Sequence, residues 1–261
     1  MKKIKKALIS VSNKKNLNFL LNVLKKNKIQ IISSGGTYKE IKKLGFNCLE
    51  ISKYTNSKEI LGGRVKTLHP KIHAGILSVR NNKKHIKDLN NNNYEEIDLV
   101  IVNFYPFEKT SEITNNHDKI IENIDIGGPA LVRAAAKNYN DVTVITSENQ
   151  YSELANELKF NKGGTTHNFR QKMAEDAFTE TAYYDSVVTN YFNFKSNNIF
   201  PNKKIFYGNL VEKLRYGENP HQDAAIYSLN KELKINQLNG KKLSFNNYND
   251  IFSSLLISKS L

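Results

Sequence analysis

The sequence predicts an α/β fold with a mainly parallel sheet, because strand-like and helix-like patterns alternate along its N-terminal half. A short apolar run at Lys6–Val11 is typical of a buried strand, and four leucines between residues 17 and 24 then fall on one face of a helix. Such an order places helices on both faces of the sheet. We therefore expect three layers, α/β/α, with a ligand site beyond the carboxyl ends of the strands.

Further strands and helices continue this alternation. The predicted strands cover Ile29–Ile32, Asn47–Ile51, Ile97–Asn103 and Val142–Ile145. The predicted helices cover Thr37–Leu44, which Gly45 ends, and Pro129–Lys137, which a proline opens. A long helical pattern follows from Thr166 to about Phe194. The side chains that we expect to face inward from it are Phe169, Met173, Ala177, Ala182 and Tyr183.

The composition changes near residue 200, where the polar stretch Lys195–Lys204 carries Pro201. We therefore predict one domain over residues 1–199 and a second over residues 200–261. The second region is short for an ordinary α/β domain and ends in an apolar helix at Ile251–Ile257. We expect it to be an incomplete α/β domain.

Composition limits the function classes. The 261-residue chain carries a net charge of +14, but only five of its 39 basic residues are arginine, and the lysines are scattered. Base readout and phosphate clamping favour arginine, so we expect no specific nucleic-acid partner. The single cysteine, Cys48, excludes an internal disulfide, and the apolar run after the basic N-terminus is too short for a signal peptide. We expect a cytoplasmic protein without membrane spans.

The segment Gly62–Pro70 predicts an anion site. Two glycines allow a tight turn, and Arg64, Lys66 and Thr67 then supply two cations and a hydroxyl. We expect this segment to be extended, since side chains two residues apart share a direction only in extended backbone.

Two further loops follow predicted strands and carry groups that bind phosphate. Ser34, Gly35, Gly36 and Thr37 lead directly into a helix N-terminus, where free N–H groups favour an anion. Ser12 and Lys14 follow the first strand. None of these loops has the spacing of a P-loop or of a dinucleotide fingerprint, which argues against an ATPase or an NAD enzyme. A phosphorylated small molecule is the expected ligand.

A second group of polar residues follows the strand that ends at Asn103. It contains Tyr105, Asp125 and Lys137, with Gly127–Gly128 permitting close approach of a planar ring. Each also has a structural interpretation: a half-buried aromatic ring, a helix cap and a solvated cation. His69 and His73 lie four residues apart, but Pro70 interrupts the helical register and no further ligands surround them, so no metal site is expected.

Several ordered motifs resemble one family, the bifunctional purine-biosynthesis enzymes that join AICAR transformylase to IMP cyclohydrolase. The matching segments are Ser10–Ser12, Ser34–Thr37, Leu61–Pro70, Tyr105–Phe107, Ile124–Gly128, Arg133–Asn138 and Leu214–Gln222. The resemblance implies that residues 1–199 form a methylglyoxal-synthase-like domain. It further implies that this domain closes the pyrimidine ring of formyl-AICAR, giving IMP and water, without a cofactor.

The resemblance also assigns roles to individual residues. It implies phosphate contacts by Ser12, Lys14, Ser34, Gly35, Gly36, Thr37, Arg64 and Thr67. It implies catalysis by Lys66, Tyr105, Asp125 and Lys137. It implies contacts with the base by Asn103, Ile126, Gly127 and Gly128. One departure from the family pattern is Asn13, where many relatives carry Asp, and this affects a local loop contact.

For residues 200–261 the resemblance implies the start of the transformylase half, in which Arg215 and Tyr216 form part of an AICAR site. The full-length family member uses 10-formyltetrahydrofolate and is a homodimer, and its Lys-His pair lies downstream of this chain. We therefore expect cyclohydrolase activity without formyl transfer. Two alternatives share the phosphate loops: a methylglyoxal-synthase-like lyase and a non-catalytic nucleotide-sensing module.

Overall fold

The protein is described by a computed structural model over residues 1–229 and 235–260. The chain divides into two compact units, residues 1–198 and 199–261. The second region expected from the sequence includes residues 230–234 and 261, which lie outside the described residues.

The first unit is built on a five-stranded parallel sheet and a separate antiparallel strand pair. Its strands are β1 (Lys2–Lys3), β2 (Lys6–Val11), β3 (Gln30–Ser33), β4 (Leu49–Glu50), β5 (Leu99–Asn103), β6 (Thr143–Ile145) and β7 (Gly164–Thr165). The sheet order is β4-β3-β2-β5-β6, and β1 pairs with β7. The predicted α/β class with a mainly parallel sheet is confirmed.

The strand order reverses direction between β2 and β5. From β2 the chain moves outward to β3 and β4, then returns to place β5 on the other side of β2. In the register of this pair, Val11 lies opposite Asn103, so the two strands end together. Right-handed crossovers in opposite directions place helices on opposite faces and leave a crevice at the reversal.

Ten helices connect or follow these strands in the described part of the first unit. They are α1 (Leu17–Lys26), α2 (Gly35–Lys43), α3 (Ile51–Thr55), α4 (Pro70–Leu77), α5 (Lys83–Asn91), α6 (Phe107–Ile113), α7 (His117–Glu122), α8 (Gly127–Lys137), α9 (Tyr151–Phe160) and α10 (His167–Lys195). The helix α8 packs on β5 and β6 and against α4 and α10, whereas α1 contacts α9. Leu8, Ile9 and Val100 are fully buried, as expected for strands covered on both faces.

Three local predictions are wrong. The predicted strand at Asn47–Ile51 shrinks to β4, because the buried Ile51 begins the helix α3. In α10, Ala182 is exposed and Tyr183 only half-buried, while Thr181 and Tyr184 face inward, because the apolar face drifts around this 29-residue helix. The segment before Lys66 is not extended: residues 61–63 form a tight turn with positive φ angles, and Arg64 has helical backbone angles.

In its described residues, 199–229 and 235–260, the second unit contains two antiparallel strands and one helix. The strands are β8 (Asn209–Lys213) and β9 (Ala225–Ser228), and the helix is α11 (Phe245–Ser260). Tyr248 is buried and its hydroxyl donates to Glu212 at 2.7 Å, whereas Phe252, Leu255, Leu256 and Ile257 are exposed. Within residues 1–229 and 235–260, none of the helices combines the length and the apolar character that crossing a bilayer requires.

Candidate active site

A cavity of about 640 Å³ lies where β2 and β5 end side by side. It is lined by fourteen of the residues that the sequence assigned to the site: Ser12, Lys14, Ser34, Gly36, Thr37, Arg64, Lys66, Thr67, Asn103, Tyr105, Asp125, Ile126, Gly127 and Gly128. The position agrees with the general rule that ligands of parallel sheets bind beyond the carboxyl ends of the strands at a reversal of strand order.

One wall of the cavity is the N-terminus of α2, which follows β3 without a linker. Ser34 is extended, and its side chain makes no capping hydrogen bond, so the first N–H groups of the helix remain available to an anion. Gly35 does not line the cavity itself, but it adopts a φ of +53°, and a Cβ built on it would lie 3.5 Å from Lys66 Nζ. Two lysine ammonium groups, Lys14 and Lys66, therefore approach this helix end.

The Thr37 hydroxyl is already used inside the chain. Its oxygen accepts from the backbone N–H of Val11 at 3.0 Å and donates to the Val11 carbonyl at 2.9 Å. The side chain is buried and fixes the end of β2 against α2. Only the backbone of Thr37 remains for the phosphate contact expected from the sequence.

Asn103 organises the loop after β2. Its Oδ1 accepts from the backbone N–H groups of Ser12 and Asn13 at 2.7 and 3.0 Å, and its Nδ2 donates to the Asn13 carbonyl at 3.0 Å. The Ser12 hydroxyl donates to the Phe104 carbonyl at 2.6 Å. The sequence assigned Asn103 to the base; the geometry adds a second role, that of holding the Ser12–Lys14 loop.

Asn13, the residue expected to alter a local loop contact, bonds to Glu148. Its side-chain amide donates to Glu148 Oε1 at 3.1 Å. A carboxylate at this position could not donate this bond and would face Glu148 with like charge.

The opposite wall is a turn with unusual backbone angles. Leu61, Gly62 and Gly63 have φ values of +54°, +64° and +98° in succession. This conformation is sterically unfavourable for Leu61, and a Cβ at Gly63 would collide with Glu59 Oε1. The bridge between Ile60 and Val65 closes the turn. This tight turn brings Arg64 and Lys66 to the same cavity, although the extended backbone expected from the sequence is absent.

Arg64 forms an ion pair with Glu122 at the end of α7. Both side chains are largely exposed, and the hydrogen bond and the Glu122 charge raise the pKa of the Arg64 guanidinium. By contrast, no carboxylate within the described residues forms an ion pair with Lys66. An anion that enters the cavity therefore meets the Lys14 and Lys66 ammonium groups, which have no ion-pair partner among the described residues, and the Arg64 guanidinium, which is shared with Glu122.

Asp125 lies beside the N-terminus of α8. Its Oδ1 accepts from the Gly128 backbone N–H at 2.8 Å, and a Cβ on Gly128 would lie 2.5 Å from its Oδ2. Burial raises the pKa of this carboxyl group, and the backbone N–H groups of Gly128 and Tyr105 and the charge of Lys66 offset part of the rise. A carboxyl group with a raised pKa in a cavity is suited to proton transfer.

Tyr105 and Thr67 complete the cavity. Tyr105 is 46% exposed and lies two residues beyond Asn103, the last residue of β5. The Thr67 hydroxyl lies against Gly127, because a Cβ on that glycine would be 2.6 Å from it. Neither glycine at the start of α8 has room for a side chain, because the Thr67 hydroxyl lies against Gly127 and the Asp125 carboxylate against Gly128.

Lys137 lies at the last residue of α8, whereas the first residues of α8 line the cavity. Because Lys137 lies ten positions after Gly127, the two ends of the helix are about 15 Å apart. The Lys137 side chain is exposed, and the chain by itself does not bring it to Asp125.

The two histidines have structural contacts. His69 Nδ1 accepts from the Lys71 backbone N–H at 3.1 Å and so caps α4. His73 is held against the Thr67 carbonyl, and burial lowers the pKa of its imidazole. Across the described ranges, no three His, Cys, Asp or Glu side chains are grouped as ligands for a metal ion.

Arg215 and Tyr216 lie in the second unit and contact each other. The Arg215 guanidinium donates to the Tyr216 hydroxyl at 3.0 Å and lies 4.7 Å from the centre of its ring. The hydrogen bond from Arg215 lowers the pKa of the half-buried Tyr216 phenol.

The sequence did not single out three residues that shape the cavity. Glu59 and Glu122 line it, and Tyr184 supports Asp125 from α10. Glu122 and Tyr184 act through contacts across 58 and 59 residues of chain, which no local pattern signals. For Glu59 the sequence offered one indication, the double glycine before Arg64. The Glu59 carboxylate lies where a side chain at Gly63 would be.

Comparison with known proteins identifies the chain's relatives. The family model described as AICARFT/IMPCHase bienzyme matches residues 135–261, and the MGS-like domain model matches residues 17–130. Curated relatives named bifunctional purine biosynthesis protein PurH include those of Bradyrhizobium diazoefficiens, Prochlorococcus marinus subsp. pastoris and Persephonella marina. They are 43%, 46% and 45% identical and match 95%, 95% and 98% of this chain, but only 48%, 48% and 51% of their own lengths.

A solved structure, the crystal structure of ForH, is similar with a TM-score of 0.65 and 29% sequence identity. The similarity covers 72% of this chain and 99% of ForH. The chain thus spans about half the length of the curated relatives that it matches, and it contains an MGS-like domain. By these matches it belongs to the family of bifunctional purine-biosynthesis proteins that unite AICAR transformylase and IMP cyclohydrolase.

Proposed function

We propose that the cavity closes the pyrimidine ring of formyl-AICAR to give IMP and water. One observation carries the proposal: phosphate-binding groups and a proton-transfer group face the same cavity. The N-terminus of α2, Lys14 and Arg64 lie on its walls together with Lys66, Tyr105 and Asp125. The family relationship supports the same reaction.

In this proposal the ribose phosphate lies at the N-terminus of α2. The backbone N–H groups of Gly36 and Thr37 and the Lys14 ammonium bind the phosphate, and the ion pair of Arg64 with Glu122 opens so that the guanidinium becomes a fourth donor. The base then extends toward Tyr105 and Asp125.

Ring closure is an intramolecular reaction of a weak nucleophile. The carboxamide nitrogen attacks the formyl carbon, and its proton passes to the formyl oxygen, which becomes a hydroxyl. The hydroxyl then leaves as water with the proton of the formamido nitrogen, and the ring C=N bond forms. Holding the two groups in a reactive conformation removes much of the barrier.

The chain's residues supply orientation and charge. Lys66, a cation without an ion-pair partner among the described residues, stabilises the negative charge that develops on the formyl oxygen, and Tyr105 orients the formyl group. Asp125 takes the proton from the formamido nitrogen and passes it to the departing hydroxyl, a task that its raised pKa favours. The position of Lys137 leaves it outside this set.

The test is an assay of the purified chain with formyl-AICAR, following IMP by ultraviolet absorbance. We expect turnover, and we expect Lys66→Ala to lower kcat by about a hundred- to a thousandfold. Arg64→Ala should mainly raise KM, since a phosphate contact is made in the ground state and the transition state alike. A Lys66→Ala variant with near-native kcat would remove the role given to this lysine.

Two further measurements on the same purified chain, turnover of dihydroxyacetone phosphate and binding of IMP, separate the alternative functions. Conversion of dihydroxyacetone phosphate to methylglyoxal, with no IMP formed, would favour a lyase. Tight binding of IMP without turnover of formyl-AICAR would favour a nucleotide-sensing module. The proposal covers ring closure only; formyl transfer from 10-formyltetrahydrofolate, with Arg215 and Tyr216 at part of its site, belongs to the activity expected of the full-length family member.

A further inference from the structure

Asp125 occupies a turn that a distant helix holds in place. The turn lies between α7 and α8, and the Tyr184 hydroxyl of α10 bonds to it twice. It accepts from the Asp125 backbone N–H at 2.8 Å and donates to the Asn123 carbonyl at 3.4 Å. The Tyr184 hydroxyl thus links Asn123 and Asp125, the residues on either side of Ile124, by hydrogen bonds.

Tyr184 is itself fixed by aromatic neighbours. Its ring is only 8% exposed and meets the rings of Phe104 and Phe107 edge to face, at centroid distances of 5.1 and 6.3 Å. These two residues flank Tyr105 and Pro106 in the chain. The same side chain therefore contacts the segment that carries Asp125 and the segment that carries Tyr105.

The Tyr184 hydroxyl is kept as a neutral group that both donates and accepts. Burial raises its pKa to about 12; the hydrogen bond from the Asp125 backbone N–H opposes this rise, and the nearby carboxylates of Asp125 and Asp185 add to it. A phenolate could not donate to the Asn123 carbonyl, so the hydroxyl must be neutral to make both hydrogen bonds to the turn.

We propose that Tyr184 is a positioning residue for the ring-closing reaction, which sets where the Asp125 carboxylate lies relative to Lys66 and Tyr105. This inference rests on the function proposed above. Tyr184 does not line the cavity, so it acts through Asp125 and not on the substrate.

The test compares two Tyr→Phe variants of the whole 261-residue chain. Tyr184→Phe removes the hydroxyl and keeps the ring. Tyr191→Phe is the matched control, because it lies on the same helix, also packs edge to face on Phe107, and bonds through its hydroxyl to His117 instead of the turn.

We expect Tyr184→Phe to lower kcat by roughly ten- to a hundredfold, while KM for formyl-AICAR and the affinity for IMP change less than about twofold. Tyr191→Phe should keep native kcat and KM. Equal losses in the two variants, or a rise in KM without a fall in kcat, would assign Tyr184 a structural role only and overturn the inference.

Amide hydrogen exchange supplies a readout that does not depend on activity. In Tyr184→Phe, the peptide covering residues 123–128 should exchange faster than in the unmodified chain, and Tyr191→Phe should leave it unchanged. Unchanged exchange in Tyr184→Phe would overturn the inference even if the enzyme is active. Faster exchange in a chain that lacks ring-closing activity would instead reject the proposed reaction and leave the link between Tyr184 and Asp125 standing.

Discussion

The two walls of the cavity are held in different ways. On the wall formed by the sheet and α2, polar side chains are bonded to backbone: Thr37 to Val11, and Asn103 to the loop after β2. On the opposite wall, Leu61–Gly63 have positive φ angles, and the exposed pair of Arg64 and Glu122 joins the turn to α7.

This difference separates fixed binding groups from adjustable ones. A buried hydrogen bond to backbone contributes to the stability of the fold, so the first wall is set before any ligand arrives. An exposed ion pair contributes little and can be exchanged for a ligand at small cost. We therefore expect changes on the first wall to appear as lost stability and changes on the second wall to appear mainly as altered kinetics.

The largest effect should come from a matched pair of threonines. Thr37→Val removes a buried hydroxyl with two backbone partners, so we expect the free energy of unfolding to fall by about 2 kcal/mol. Thr67 is equally buried, but its hydroxyl borders the cavity and has no hydrogen-bond partner among the described residues. Thr67→Val should therefore change the free energy of unfolding by less than about 1 kcal/mol and raise KM severalfold. Urea unfolding and steady-state kinetics measure both, and equal destabilisation would end the distinction between the walls.

The next effect concerns pH. Burial raises the pKa of Asp125 in the folded chain above its usual 3.8, because the protonated carboxyl group is the form that the fold favours. The resulting stabilisation of the folded state is fully present below pH 3.8 and is lost as the pH rises through the folded pKa. Asp125→Asn should abolish this loss. The acidic limb of the kcat/KM profile should lie above pH 3.8, because protonation removes the base. A limb at or below 3.8 would contradict the role given to Asp125.

The smallest effect should come from Glu122. In Glu122→Gln the Arg64 guanidinium no longer has a charged competitor, so we expect KM to fall about twofold with kcat unchanged. Glu112→Gln is the control, since Glu112 is exposed and does not line the cavity. The difference between the variants should shrink as salt is added. A rise in KM for Glu122→Gln would mean that the pair holds Arg64 in its binding position.

The sequence predicted best where one local pattern decided the structure. The buried strand at Lys6–Val11, the leucine face of α1 and the long helix α10 follow from periodicity alone. The Asn47–Ile51 strand failed, because a five-residue stretch of mixed apolar and polar residues does not show where pairing stops and a helix begins. The double glycine before Arg64 indicated a turn, but not that Leu61 would share its left-handed conformation.

In the site, the sequence did not show which groups lie close together in space. Asp125 and Lys137 were expected in one catalytic group, whereas all eleven residues from Gly127 to Lys137 form one helix, and Lys137 stands at the end away from the cavity. Glu122 and Tyr184 reach the cavity through tertiary contacts that no motif encodes.

The register of β2 and β5 has a consequence for tolerance to insertions. Val11 stands opposite Asn103 at the very ends of the two strands, and the Ser12–Lys14 loop is bonded to that asparagine. Because side chains alternate between the faces of a strand, inserting or deleting one residue upstream in β5 would carry the carboxamide to the other face. The sheet could still form from its apolar residues, but the loop after β2 would lose its anchor. Single-residue indels in these two strands should therefore be far more damaging to ligand binding than indels of the same size in the α5 region.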